Sequence, residues 1–398
     1  MRGTAAIAGY EEWSTTRRAE REAAFELDQW AELAQAALSD AGIGPKEVDG
    51  LMCTGVREAT KFAPSTLAEY LGFDLSFAER LDHGGAGAVG MIGRAALAIE
   101  AGLCSTVVCA IPWGPTPSAP GESPTPRFDF GATSRVWGAP QAEFDAPFGN
   151  VGQNAGYALV ARLYAERYGS PEAASAKAVV DLRQNAMTNP GAAFHGIPIT
   201  TEEILDSPMI AEPLRLYDIV MPCYGGSAVV VTSLERARDS RHRPVCVTGF
   251  GERIRSKSPT YAEDMLDLPA KQASAAAFAS AGITASDIDV TEVYDCYTIS
   301  ALTNLEAAGF CGEGEGASFL ESHDLTWRGD FPLNTHGGQL GCGQPGLAGG
   351  MSLAIEAARQ ISGRAEGRQV RDCETAYVSG TGGVMSVQAA LILQGDRG

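Results

Sequence analysis

The chain has 398 residues, 45% apolar and 20% charged, and its 30 Lys and Arg against 49 Asp and Glu give a formal charge of −19. That is ordinary globular composition, long enough for one large core or two ordinary ones, and its acidity argues against nucleic acid or an anionic membrane as partner. No apolar run reaches the ~20 residues of a membrane span, and the opening MRGTAAIAGYEEW turns acidic too early for a signal peptide.

Residues 36–52, AALSDAGIGPKEVDGLM, predict an Ala-rich helix stopped at Gly42, an acidic turn and an apolar strand. The Gly-rich turn HGGAGAVGM at 83–91 opens a helix through LAIEA at 97–101, and the apolar strand STVVCAIPWG follows at 105–114. An insertion then runs over about 113–200. Its first part, PWGPTPSAPGESPTPRFDFGATSRVWGAP, reads as a long surface loop. NAGYALVARLYAERYG reads as an amphipathic helix, and Ser170 and Pro171 predict the N-cap and first turn of another. After GGSAVVVTSLE at 225–235, the stretch GERIRSK holds Arg253, Arg255 and Lys257, the dense basic cluster available to an anionic ligand.

Three of these segments recur in the same order. AAFASAGITASDIDVTEV at 276–293 matches 36–52; LAIEA at 353–357, leading to ETAYVSGTGG at 374–383, matches LAIEA at 97–101; GGVMSVQAALI at 382–392 matches 225–235. Three collinear matches predict two homologous α/β halves, 1–240 and 241–398, with helices packed on the faces of sheets. The nine cysteines form no CxxC pair and no Cys/His cluster. They predict reduced thiols in a cytoplasmic protein and no metal site.

The duplicated halves, the Gly-rich turn into a central helix and the GG-flanked strands resemble the thiolase superfamily over nearly the whole chain. The sterol-carrier-protein type of thiolase carries His-Asp-Cys-Phe, Asn-x-x-Gly-Gly and Gly-His-Pro motifs. They correspond here to Tyr294-Asp295-Cys296-Tyr297, Asn334-Thr335-His336-Gly337-Gly338 and Gly343-Gln344-Pro345, and the family's last Cys-x-Gly turn falls at 379–383. The resemblance implies a duplicated αβαβα layered fold and a homodimer. The departures are chemical. Gly85 stands at the nucleophile position, Gln344 and Tyr294 replace catalytic histidines, and the last loop has no Cys. Thiolysis needs a thiolate, a base to activate it and an acid/base for the second substrate, so these losses exclude ordinary thiolase activity.

The same losses resemble the thiolase-like aldolases of bacterial steroid degradation. That resemblance implies retro-aldol cleavage of a β-hydroxyacyl-CoA to a ketone and a shorter acyl-CoA, with the CoA thioester as substrate and no permanently bound cofactor. It also implies a small partner with an OB-fold and a zinc ribbon, in a heterotetramer. Tyr294, beside Asp295, is the expected proton-transfer residue; a free phenol has a pKa of about 10, so a base role requires neighbours that lower it. His336 is expected to act as acid or as donor to the enolate oxygen, and Gln344 to donate to the thioester oxygen. Backbone N–H groups of Gly380, Gly382 and Gly383 are expected to face the charge that builds up, with Gly85 leaving room for the acyl group. Tyr224 is a weaker second acid, and Tyr297 packs like the Phe it replaces. His83 faces the cavity or supports a subunit contact. Two other readings stand beside the aldolase: an acyltransferase using Cys296 or Cys342, and a silent scaffold subunit. The Gly85–Gly90 spacing matches a dinucleotide fingerprint but lacks its acidic residue about 20 positions on.

Overall fold

A computed structural model describes residues 1, 3–118, 136–256, 261–396 and 398. Much of the Pro/Gly-rich stretch, and Lys257, therefore lie outside the described residues.

The first half runs β1 (Ala5–Thr16), α1 (Glu26–Ala41), β2 (Gly50–Cys53), α2 (Ala63–Leu71), β3 (Phe77–Arg80), α3 (Gly87–Glu100) and β4 (Thr106–Trp113). Between 140 and 215 lie α4 (Pro140–Phe144), α5 (Gln153–Tyr168), α6 (Glu172–Met187), α7 (Thr201–Leu205) and the small hairpin β5 (Met209–Ala211) and β6 (Leu214–Arg215). The strand β7 (Tyr224–Ser233) and the short α8 (Leu234–Arg238) complete it. The second half runs β8 (Val245–Ile254), α9 (Ala270–Ala281), β9 (Val290–Glu292), α10 (Thr298–Ala308), α11 (Gly316–Ser322), α12 (Gly338–Cys342), α13 (Gly349–Ser362), β10 (Thr375–Gly382) and β11 (Val387–Gly395).

The strand order is β3-β2-β4-β7-β1-β8-β11-β10-β9. β2 runs parallel to β3 and β4, while β7 and β1 are antiparallel to their neighbours. In the second half β9 runs parallel to β10, and β10, β11 and β8 alternate. Within the sheet the two series join where β1 pairs with β8, through Ala6↔Cys246 and Ile7↔Val245. The outer helices α1 and α9 end at Gly42 (φ 68°) and Gly282 (φ 71°), left-handed positions that glycine adopts without Cβ strain.

α3 and α13 pack against strands of both series and against each other, while α1 covers β1, β4 and β7 on one outer face and α9 covers β8 and β11 on the other. The result is the αβαβα layering. A helix between two sheets has no polar face, and every residue from Gly87 to Gly93 is buried. Met91 and Ile92 are fully buried there, each contributing about 1.5–3 kcal/mol of apolar burial.

One local reading is corrected. α6 begins after Pro171, whose carbonyl accepts from Ser175 N at 2.8 Å, so Pro171 and not Ser170 is the half-helical residue, and no side chain caps the helix. Among the described residues no helix is long and apolar enough to cross a membrane, and no group of three His, Cys, Asp or Glu could hold a metal ion.

Candidate active site

The Gly-rich repeats do one job twice. The turn Gly84–Ala86 delivers the chain into α3, and the turn Gly346–Ala348 delivers it into α13. Gly84, Gly85, Gly346 and Leu347 line the same cavity of about 430 Å³, together with Asp82, His83, Gln153, Tyr157, Tyr294, Cys296, Gln344, Thr381, Gly383 and Val387. The positive ends of both central helices therefore face one cavity, the arrangement that stabilises an anion forming there. A second cavity of about 520 Å³, bounded by Gly149, Val151, Ile219, Val220 and Tyr297, shares Gln153 and Gln344 with the first. Each lies within the range of about 300–1,000 Å³ typical of ligand sites.

Gly85 and Tyr294 are complementary. A Cβ at position 85 would stand 2.1 Å from the Tyr294 hydroxyl oxygen, 2.4 Å from Tyr294 Cζ and 2.4 Å from the Thr381 carbonyl. The phenol occupies the space that a side chain at 85 would need. Its backbone is pinned on both sides: Tyr294 N donates to Ser379 Oγ at 3.0 Å, and Ser300 Oγ donates to the Tyr294 carbonyl at 2.9 Å. Gln344 Nε2 donates to the Tyr294 hydroxyl at 2.9 Å, which leaves the phenolic proton for another acceptor. Burial, with Cys296 and Asp295 adding to it, pushes the Tyr294 pKa well above 10 despite the Gln344 bond. The neighbours do not lower the phenol as a base role requires, so at neutral pH Tyr294 keeps its proton. Gln344 spends one of its two amide N–H groups on the phenol and also lines the cavity.

Tyr157 and Tyr297 wall the cavities as a stacked pair, ring centroids 3.9 Å apart. Tyr297 Oη donates to Asn154 Oδ1 at 2.6 Å, so it is packed as expected but is also hydrogen-bonded. Tyr157 Oη donates to the Gly383 carbonyl at 3.2 Å and accepts from Cys296 Sγ at 3.3 Å. Burial raises the Cys296 thiol to about 12. An attacking cysteine needs a depressed pKa, and burial moves Cys296, which lines the cavity, the other way.

Several expected residues lie elsewhere. Asp295 is fully buried, and its carboxylate accepts from Gln339 N (2.8 Å) and Leu340 N (3.2 Å), holding the start of α12. His336 and Cys342 line a different cavity, with Glu12, Asn189 and Arg359. His336 is 2% exposed with Nδ1 3.3 Å from Glu292 Oε2. Burial raises the Glu292 carboxyl, and the Glu292 carboxylate overcomes burial to raise His336. Glu292 also takes Thr335 Oγ1, which reaches Glu356 and through it the Arg368 guanidinium, a buried charge network behind the active site. Cys342 Sγ donates to the His336 carbonyl at 2.9 Å, and burial pushes its pKa well above 9. Gly380 and Gly382 lie against the first turn of the central helix: a Cβ on Gly380 would meet Ala86 Cα at 3.0 Å, and one on Gly382 the His83 carbonyl at 2.1 Å. Both are closely packed there, and of that trio Gly383 lines the cavity. Tyr224 lines neither of the two joined cavities. Arg255 is paired with Asp267 at 2.8 Å and not gathered into an anion site.

Sequence reasoning passed over Glu252, in the stretch read as basic. Its Oε2 stands 3.2 Å from His83 Nδ1, and its Oε1 is held by Arg94 Nη2 at 2.7 Å. No signal in the sequence joins 83 to 252; the pairing exists because α3 packs beside β8.

Residues 251–395 match the thiolase C-terminal domain-like family. The chain is 33% identical over 405 aligned residues to the steroid side-chain-cleaving aldolase of Thermomonospora curvata, covering 99% of each. It is 32% identical to the 17-hydroxy-3-oxo-4-pregnene-20-carboxyl-CoA lyase of Mycobacterium tuberculosis, covering 91% of this chain and 92% of that protein. Among solved structures it is similar to an Ltp2-ChsH2(DUF35) aldolase, with a TM-score of 0.86, 32% identity, and coverage of 100% of this chain and 99% of that one. The chain belongs to the thiolase superfamily, in the sterol-carrier-protein-type branch that holds the steroid side-chain-cleaving aldolases.

Proposed function

We propose that this chain is a carbon–carbon lyase that cleaves a β-hydroxyacyl-CoA by a retro-aldol step, releasing a ketone and a shorter acyl-CoA. The names of its relatives support a steroid side-chain thioester as the substrate. One observation carries the reading: the Tyr294 hydroxyl fills the place of the thiolase nucleophile side chain, against Gly85. Acyl transfer through an enzyme thioester then has no sulfur at that place, while the two helix ends that stabilise an acyl-CoA enolate remain. The β-hydroxyl loses its proton, the Cα–Cβ bond breaks, the electron pair passes into the thioester enolate, and Tyr294 donates its proton to Cα. The second cavity, walled by Tyr297 and Val220, accepts the apolar bulk carried by the β-carbon.

The same proposal includes two halves, 1–240 and 241–398, a homodimer in the cytoplasm, and a partner with an OB-fold and a zinc ribbon. The similar Ltp2-ChsH2(DUF35) aldolase pairs its thiolase-like chain with a DUF35 component, which supports a partner here. So do Val136, Trp137, Phe144, Phe148 and Val151, apolar and each more than half exposed, the last of them lining the second cavity.

The test is Tyr294→Phe in the complex of this chain with its partner. The substrate is a β-hydroxyacyl-CoA whose β-carbon belongs to a steroid ring, with the ketone followed by mass spectrometry. Loss of a positioned proton donor lowers turnover by about 10²–10⁴. Cleavage at the parental rate in that variant would remove the assignment.

A further inference from the structure

A retro-aldol step needs a base at the β-hydroxyl, and the proton donor Tyr294 cannot serve as one while it holds its proton. Of the cavity's other titratable side chains, Tyr157 and Cys296 are held protonated by burial, and Asp82 is the solvent-exposed member of the lining. His83 remains. It lines the cavity two residues before Gly85, and its side chain is 15% exposed. Nδ1 is the buried ring nitrogen and faces Glu252 Oε2 at 3.2 Å, which leaves Nε2 as the nitrogen that can receive a proton from substrate. Glu252 is fixed in turn by Arg94, which reaches Oε1 at 2.7 Å and Oε2 at 3.4 Å and is anchored to Glu79 at 3.1 Å. A ring nitrogen facing a carboxylate, with that carboxylate locked by a guanidinium, is the arrangement that fixes an imidazole's tautomer and orientation. The Nδ1···Oε2 contact lacks full hydrogen-bond alignment, and such pairs tighten when substrate occupies the site.

We infer that His83 is the base of the cleavage and Glu252 its positioning residue. The inference rests on the aldolase reading. His83 Nε2 takes the hydroxyl proton, and the O–H electrons become the C=O π bond of the departing ketone. The Cα–Cβ electrons enter the enolate, which takes its proton at Cα from Tyr294 Oη. The imidazolium loses its proton to solvent and the phenolate regains one from solvent, so turnover is proton-neutral.

The experiment compares the parent, His83→Asn, His83→Gln, Glu252→Gln and Tyr294→Phe, each in complex with the partner. Two readouts are followed: C–C cleavage, and solvent deuterium exchange at Cα of the shorter acyl-CoA supplied alone. Tyr294→Phe loses both. His83→Asn loses cleavage by about 10²–10⁴ yet keeps exchange within a few-fold of the parent, and added imidazole restores part of the cleavage. Glu252→Gln lowers kcat at least tenfold with KM nearly unchanged. His83→Gln replaces His83→Asn should the latter melt below the assay temperature. Parental cleavage in a His83 variant, or loss of exchange together with cleavage in a folded one, overturns the inference while the aldolase reading stands. A parent complex that cleaves no β-hydroxyacyl-CoA removes the reading itself.

Discussion

Gly85→Ala isolates the relation on which the site depends. The added Cβ stands 2.1 Å from Tyr294 Oη and 2.4 Å from the Thr381 carbonyl, both closer than side-chain carbons are found. Thr381 is held opposite Gln388 in the β10–β11 ladder, so both the phenol and the turn that carries residue 85 must move, by roughly 1 Å, and a misplacement of that size costs about 10²-fold in rate. Two effects oppose each other in stability. Alanine restricts the unfolded chain and returns about 0.4–1 kcal/mol, whereas overpacking a filled core costs about 1–3 kcal/mol. Overpacking wins by about 1–2 kcal/mol. With an unfolding entropy of about 0.8 kcal/mol/K for a chain of this length, Tm falls by about 1–3 °C. Cleavage kinetics and differential scanning calorimetry on the variant read both quantities. The double variant Gly85→Ala/Tyr294→Phe, lacking the hydroxyl oxygen, recovers part of the melting loss, with a coupling of about 0.5–3 kcal/mol expected for residues in contact. Gly85→Ala cleaving at the parental rate and melting no lower than the parent would refute the complementarity.

Alkylation tests the cysteine-based alternative. Eight cysteines are buried and Cys311 is half-buried, with burial raising Cys296 and Cys311 to about 12. Native iodoacetamide treatment at neutral pH therefore leaves cleavage intact, and inactivation paired with one labelled cysteine is the contrary result. Asp40 supplies a pH prediction. Burial pushes its carboxyl up, but Arg364, the Tyr10 amide and His242 overcome this and hold it below the usual carboxylate range. A depressed folded pKa contributes stability that is present above the unfolded value of about 3.9 and is lost as pH falls through the folded value. Urea denaturation of Asp40→Asn should show it weaker than the parent at pH 7, with the gap closing below pH ~4; a gap that widens on acidification contradicts the ion pair between Arg364 and Asp40.

The sequence by itself determined the layered fold and the missing reaction. Helix stops at Gly42 and Gly282, the twin LAIEA helices and the paired GG strands are local signals, because glycine geometry and apolar periodicity act on neighbouring residues. A glycine at 85, a tyrosine at 294 and a glutamine at 344 were legible in the same way. What the tertiary structure alone decided is which side chains face the cavity. Asp295 adjoins Tyr294 and His336 shares a loop with Asn334, yet Asp295 braces α12 and His336 turns to Glu292. Adjacent residues leave the backbone in different directions, so a motif locates a loop without aiming its members. The phenol's protonation state and the Glu252–His83 pair lie further still beyond local reading. Both are set by burial and by contacts across α3 and β8, which exist only once the two series of strands close around the central helices.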